Sequence, residues 1–282
     1  MNYLIEQISI SDKSIFALSS FFKLMYGENT KLTYDYLSWF YRDNPAGSVI
    51  GFNAIDESNN IIAHYALVPI SGFLFGNKSK LVLSVNTATA KTAQGKGLFK
   101  KLASLSYDLA KNKGYQGVIG VANQNSTHGF TKSLGFQFVC QLDARVSFFS
   151  PQYVESKSPT DLKISHSESS LIWRLKNPNT IYNIKSNSYI YTSTRIFFKS
   201  ILMLINKNDK FDIFHRPSNK KISVLNLWIG KSNLISWKGT LNINLPNFLR
   251  PAPLNLIFKD LVSDRKINTK NIHFEAINFD AY

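Results

Sequence analysis

A short glycine-bearing loop constrains this chain most: Gln94-Gly95-Lys96-Gly97-Leu98-Phe99, set between a strand pattern and a helix pattern. Upstream, Leu81, Leu83 and Val85 alternate with Val82, Ser84 and Asn86, and the run continues through Thr87 to Thr89. Such period-two alternation with β-branched residues predicts a strand. Downstream, Leu98, Leu102, Leu105 and Leu109 fall on one helical stripe that stops at Asn112-Lys113-Gly114. A loop that closes a strand and opens a helix turns several backbone N–H groups toward one point. The positive end of the helix dipole adds to them, which suits a phosphate or pyrophosphate. The spacing matches neither a P-loop nor the Gly-x-Gly-x-x-Gly dinucleotide fingerprint. By itself, a glycine turn that only lets strand and helix pack closely would look the same.

The pattern continues as a strand over Gly117–Ala122, a helix over about Asn125–Leu134 and a strand over Phe136–Cys140. Ahead of the loop it predicts a strand near Tyr3–Ile10 and a helix from Ser11-Asp12 to about Met25. A second helix, Tyr34–Tyr41, stops at Asn44-Pro45-Ala46-Gly47. Strands over Val49–Asp56 and Ile61–Phe75 follow. The fold class is therefore α/β, a mixed central sheet with flanking helices over residues 1–150. A boundary near Ser150-Pro151, with an exposed link over Ser156–Thr160, leads to a smaller α+β lobe over residues 151–282. That lobe is expected to hold strands near Tyr189–Thr192, Phe211–His215 and Asn271–Phe279, and a helix near Thr194–Leu204. Within it, Trp173-Arg174-Leu175-Lys176-Asn177-Pro178 echoes Trp39-Phe40-Tyr41-Arg42-Asp43-Asn44-Pro45. The echo fits a degenerate internal repeat and fits chance equally well.

Gln94-Gly95-Lys96-Gly97-Leu98-Phe99, followed about 30 residues on by Asn125-Ser126 and Lys132-Ser133-Leu134-Gly135-Phe136, resembles the GCN5-related N-acetyltransferase superfamily. Gln94 and Gly97 match the family's Gln/Arg-x-x-Gly-x-Gly/Ala motif, and Phe99 departs from it at the last small position. The resemblance spans roughly residues 1–150 and is strongest over 81–139. It implies that acetyl-CoA is bound as acyl donor, its pyrophosphate on the amides of Gln94, Gly95, Lys96, Gly97, Leu98 and Phe99. It also implies that the pantetheine arm pairs with the backbone of Ser84, Val85, Asn86 and Thr87, with Asn123 and Ser126 alongside. It implies no metal. The implied reaction is transfer of an acetyl or short acyl group to a primary amine in a ternary complex. The Trp-x-x-x-x-Asn-Pro segment and the second lobe are similar to acetyltransferase-like proteins of bacterial surface-polysaccharide gene clusters. They make an amino sugar, free or nucleotide-linked, the first candidate acceptor.

The catalytic groups are less legible. Where many family members place a tyrosine acid, this chain has Thr131, whose hydroxyl is far too weak an acid to replace a phenol. The strand before the loop offers Ser84, Asn86, Thr87 and Thr89 but no carboxylate. His64, His128, Glu28 and Asp35 are the candidate bases. His64 ranks first because it lies in a strand facing the acceptor groove and its pKa class suits base work near neutral pH. A non-catalytic ligand- or partner-binding version of the fold is the alternative, and a two-lobed aminoacyl transferase is a third reading.

Composition narrows the field. A hydrophobic content of 44% over 282 residues permits a full core. The single cysteine, Cys140, excludes an intramolecular disulfide and fits a reducing, cytoplasmic setting. The apolar run Ile196–Ile205 is broken by Lys199 and Ser200, far short of the ~20 residues a spanning helix needs. The net charge is +15, with 14 basic and 9 acidic residues over 1–150 and 19 and 9 over 151–282. The lysines are scattered rather than gathered in an arm, which favours a phosphorylated small molecule over nucleic acid. Oligomeric state is left open.

Overall fold

The structure, a computed structural model, describes residues 2–149, 151–154, 159–185, 189–192, 201–204, 225–250 and 252–279. The first half runs β1 (Tyr3–Gln7), α1 (Asp12–Tyr26), α2 (Tyr34–Leu37), β2 (Ile50–Asp56), β3 (Ile61–Leu74), β4 (Asn77–Thr89), α3 (Leu98–Asn112), β5 (Gly117–Ala122), α4 (Gln124–His128), β6 (Gln137–Gln141) and β7 (Asp143–Ser147). The second runs β8 (Gln152–Tyr153), β9 (Leu162–Ile164), α5 (Glu168–Leu175), β10 (Tyr182–Lys185), β11 (Tyr189–Thr192), β12 (Ile201–Leu204), β13 (Asn226–Ser232), β14 (Ile235–Ser236), β15 (Asn242–Asn244), β16 (Asn255–Asp260) and β17 (Ile272–Glu275). Helix starts follow side-chain caps. The Ser11 hydroxyl accepts from the Ser14 amide, Thr33 from Tyr36, and Ser167 from Ser170.

The mixed sheet is that expected from the sequence. β1 to β4 pair antiparallel in order, and β4 then lies parallel to β5, with α3 as the crossover. Alternate residues of β3 serve opposite faces. Ala66, Val68 and Ile70 pack with α1 and the segment after α2, while Tyr65 and Leu67 pack with α3. On α3 the buried stripe is Leu98, Leu102, Ser106 and Ala110, flanked by Ala103 and Tyr107. Leu105, expected on that stripe, is exposed instead. Ser106 takes the inner position because its hydroxyl donates to the Leu102 carbonyl within the helix (2.7 Å).

The boundary expected at 150/151 is not a boundary in hydrogen bonding. β16, from the second half, lies between β5 and β6 of the first, antiparallel to both. Reciprocally, β7 of the first half lies between β13 and β15 of the second. Among the described residues, fifteen strands thus form one continuous sheet. Two glycines make room for the inserted strand. A Cβ on Gly117 would stand 2.7 Å from the Phe258 ring, and one on Gly120 would stand 3.1 Å from Ile257. The connectivity of the second half parallels that of the first: β10, β11 and β12 pair antiparallel, and β12 lies parallel to β13.

The two tryptophan segments meet. The Trp39 and Trp173 rings stack with centroids 4.6 Å apart. Each indole Nε1 donates to the other residue's backbone carbonyl, at 2.8 and 2.9 Å. Each segment ends in the same asparagine turn, with Asn44 Oδ1 accepting from the Ala46 amide and Asn177 Oδ1 from Asn179. The first has five steps from tryptophan to asparagine and the second four. The additional residue is absorbed by a π-helical turn, Ser38–Arg42, where the second segment stays α-helical.

One expectation for the second half fails in its described part. Residues 201–204 of the helix expected over Thr194–Leu204 form β12, paired with β11, because the pairing edge of β11 overrides local helix preference. Residues 194–200, the strand expected over Phe211–His215 and residues 156–158 of the expected link lie outside the described residues. Among the described residues no helix is long and apolar enough to cross a membrane. Trp173→Ala should destabilise the protein by about 3–5 kcal/mol, since it removes a buried stacked ring and the bond that its indole donates to the Trp39 carbonyl. The check is the urea unfolding midpoint, and a shift no larger than that of a surface substitution would count against the seam.

Candidate functional site

β4 and β5 run together from Leu81↔Gly117 to Ser84↔Gly120 and then part. At the same point β4 bulges. Ala66 pairs with Val85 and His64 with Ala88, leaving Asn86 and Thr87 outside the β3 ladder. Asn86 sits at φ 51°, a left-handed conformation uncommon for a residue with a side chain. The divergence opens a cleft of about 290 Å³. Ser84, Val85, Asn86 and Thr87 line it from β4, Gly120 and Val121 from β5, and Asn123, Ser126 and Phe130 from α4 and its continuation. Ile257 of β16 and Phe279 close it from the second half.

The glycine loop ends beside α3. Gly95 and Gly97 have φ of 75° and 71°, and a Cβ on either would meet nothing within 4 Å. Glycine therefore serves the backbone conformation here, and it leaves the main chain open to approach from outside. Gly97 is the N-cap of α3 and makes no side-chain capping bond, so no side chain competes for the first helical amides. The Leu98 side chain is core. The Phe99 ring packs edge-on to Phe130 and against Tyr65, which is why a large residue occupies a position expected to be small. Gln94 donates weakly to the Thr89 carbonyl (3.4 Å), spanning the loop base. On α4, Asn123 Oδ1 accepts from the amide and hydroxyl of Ser126 (2.9 and 3.0 Å).

The two proposed catalytic side chains are not at the cleft surface. His64 is fully buried, and both ring nitrogens are engaged. Nδ1 faces Asn53 Oδ1 at 2.7 Å, an atom that can only accept, so Nδ1 carries the proton. Nε2 then accepts from the Tyr41 hydroxyl at 3.0 Å. Tyr41 Oη in turn accepts from Asn86 Nδ2 at 3.0 Å. Burial holds the His64 pKa down to about 3 and raises that of Tyr41. His64 is thus a neutral end of a chain Asn53–His64–Tyr41–Asn86 that fixes the bulge, and it does not touch the cleft. Thr131 is spent within its helix. Its hydroxyl donates to the Thr127 carbonyl (2.9 Å), and it does not line the cleft. Tyr36, Trp39 and Tyr65 are buried as well. Sequence reasoning missed Tyr41, Asn53, Ile257 and Phe279, whose roles have no local signal. Among the described residues no group of side chains could hold a metal ion.

No family model matches the chain, and no curated protein matches it. Solved structures do. A GCN5-related N-acetyltransferase from Kribbella flavida aligns with a TM-score of 0.56 at 10% identity, over 92% of this chain and 72% of its own. A conserved protein of unknown function from Enterococcus faecalis V583, a probable N-acyltransferase, aligns with a TM-score of 0.53 at 9% identity, over 93% and 73%. At such identities the likeness is one of fold, and the fold is that of the GCN5-related N-acetyltransferases.

His64 makes stability pH-dependent. Its folded pKa lies below the ordinary 6.5, so the unfolded chain takes up a proton that the folded one refuses. The contribution is whole above about pH 6.5 and is lost as pH falls toward 3, by about 1.4 kcal/mol per unit. His64→Gln should lower the pH slope of the unfolding free energy between pH 6 and 5 by about one proton, read from urea titrations at the two pH values.

Proposed function

We propose that this protein transfers an acetyl or short acyl group from coenzyme A to a primary amine. The observation that carries this reading is the junction of an uncapped helix N-terminus with the gap between β4 and β5. The α3 amides and the Gly95–Gly97 backbone would hold the pyrophosphate. The unpaired β4 edge at Val85–Thr87 would hold the pantetheine arm as an added strand does. The bulge leaves main-chain amides at Asn86 and Thr87 outside the ladder, and these would stabilise the oxyanion of the attacked thioester. The amine attacks the thioester carbonyl, the C–S bond breaks, and the amine proton leaves through solvent or the departing thiolate. Proximity supplies much of the rate, since among the described residues no acid or base side chain lines the cleft.

In this reading residues 1–150 carry the coenzyme site. Residues 151–282 are a second, altered copy of the same fold, supported by the parallel strand connectivity and the paired tryptophan segments. Their contribution to the site is Ile257 and Phe279. An amino sugar is the first acceptor class to screen, on the sequence resemblance. The lack of an ionisable group among the described residues of the cleft favours one second reading, a binding protein that holds a coenzyme-like ligand without turnover.

Calorimetric titration with acetyl-CoA, followed by an amine panel, separates the two readings: binding with turnover supports the first, and binding without turnover the second. Gly97→Glu should weaken acetyl-CoA binding at least tenfold while the fold survives, because it puts a negative side chain where the pyrophosphate would sit. Unchanged binding would remove the loop from the site. Thr131→Val should leave turnover within about twofold, since its hydroxyl is held by a helical carbonyl. Tyr41→Phe should lower kcat with little change in acetyl-CoA affinity, because Asn86 loses the acceptor that holds the bulge.

A further inference from the structure

The two halves treat the same gap differently. In the first, β4 and β5 part after Ser84↔Gly120 and leave the cleft. In the second, β12 touches β13 at Ile201↔Leu227. Beyond that point β17 pairs with β13 instead, from Gly230↔Glu275 to Ser232↔His273. β7 holds the other edge of β13, from Asn226 to Gly230, so β12 and β17 share one edge. The chain's own strand thus fills the counterpart of the cleft. β17 runs on into a 3-10 turn, Ala276–Asn278, and the next residue is Phe279, which lines the first cleft.

Phe279 is held in place. The Asn278 side chain accepts from the Glu275 amide at 2.7 Å, and the Phe279 amide donates to the Ala276 carbonyl at 3.3 Å, which closes the turn. The Phe279 ring stacks on the fully buried Phe274, with centroids 5.6 Å apart and planes 9° apart. The two cores show which side of the cleft it serves. Ile257 and Phe130 belong to the core on the α3 side. Leu83 belongs to the core on the α1 side, and Val85, Val121 and Phe279 pack against that core.

We propose that Phe279 sets the length of the transferred acyl group and restricts it to acetyl or propionyl, an inference that rests on the acyl-transfer reading above. A coenzyme with its phosphates at the start of α3 and its arm between β4 and β5 enters from the α3 side. Its acyl end then arrives on the α1 side, against Val85, Val121 and Phe279. The Phe279 ring is an apolar wall that its stack on Phe274 keeps from swinging aside, so each added methylene must displace packed side chains.

The test is calorimetric titration of the full chain with coenzyme A, acetyl-CoA and hexanoyl-CoA. Each affinity is taken relative to coenzyme A, which has no acyl group, so a general loss of binding cancels. The wild-type chain should bind hexanoyl-CoA at least about tenfold more weakly than acetyl-CoA, the order of discrimination that chain length brings in an apolar pocket. Phe279→Ala should bring the two within about twofold of each other, because it removes the wall. Phe279→Leu, which keeps an apolar side chain on the Phe274 ring, should give an intermediate ratio and carries the test if the alanine variant does not fold. Equal wild-type affinities for the two thioesters, or an unchanged ratio in whichever variant folds, overturns the proposal. Failure of coenzyme A itself to bind the wild-type chain overturns the coenzyme site, and the role of Phe279 with it.

Discussion

Strand β5 carries two incompatible demands, and the insertion of β16 reconciles them. For the cleft to open, β5 must leave β4 after Gly120 and give up ladder bonds on that side. A strand released on one edge is marginal unless the other edge holds it. β16 supplies that hold over six consecutive residue pairs, from Ala122↔Asn255 to Gly117↔Asp260. It also continues to β6, so the part of the first sheet beyond the cleft is anchored through chain that arrives more than a hundred residues later. The glycines at 117 and 120 are the local signature of this arrangement, since larger residues there would collide with Phe258 and Ile257.

The same insertion makes the candidate site a property of both halves. Ile257 closes the cleft floor, and Asn255 donates to the Thr127 hydroxyl at 2.9 Å, tying β16 to α4. The exchange is returned by β7, and the tryptophan pair locks the halves at a second place. Reciprocal bonds of this kind are what a two-fold arrangement of like segments produces. The π-helical turn then has a plain cause. One more residue between tryptophan and asparagine must be absorbed without moving either end, and the same turn carries Tyr41, whose hydroxyl reaches Asn86 in the bulge.

Local elements were legible because their determinants are local. Ser11 and Thr33 cap α1 and α2 as their sequence positions suggest, and β2 to β5 fall within a few residues of their hydrophobic runs. The backbone part of the candidate site shared that legibility: Ser84–Thr87, Gly95 and Gly97 lie where a strand end and a helix start put them. The side-chain part did not. Whether His64 faces the cleft or the core depends on which face of β3 its neighbours cover, and Phe22 and Tyr41 cover it. Thr131 likewise had the right position along the chain and the wrong hydrogen bond, because a hydroxyl one turn from a helical carbonyl finds it first.

The second half was the least legible, and β12 shows why. Ile201–Leu204 is apolar enough for helix or strand, and a partner edge from β11 decides. What the sequence by itself determined is the order of elements through residue 141 and the glycine loop between β4 and α3, since period, caps and turn residues act over a few positions. Only the tertiary structure decided that β16 and β7 change places, that Ile257 and Phe279 wall the cleft, and that His64 supports the bulge from within. Strand pairing and burial are settled by partners distant in sequence, and no local pattern names those partners.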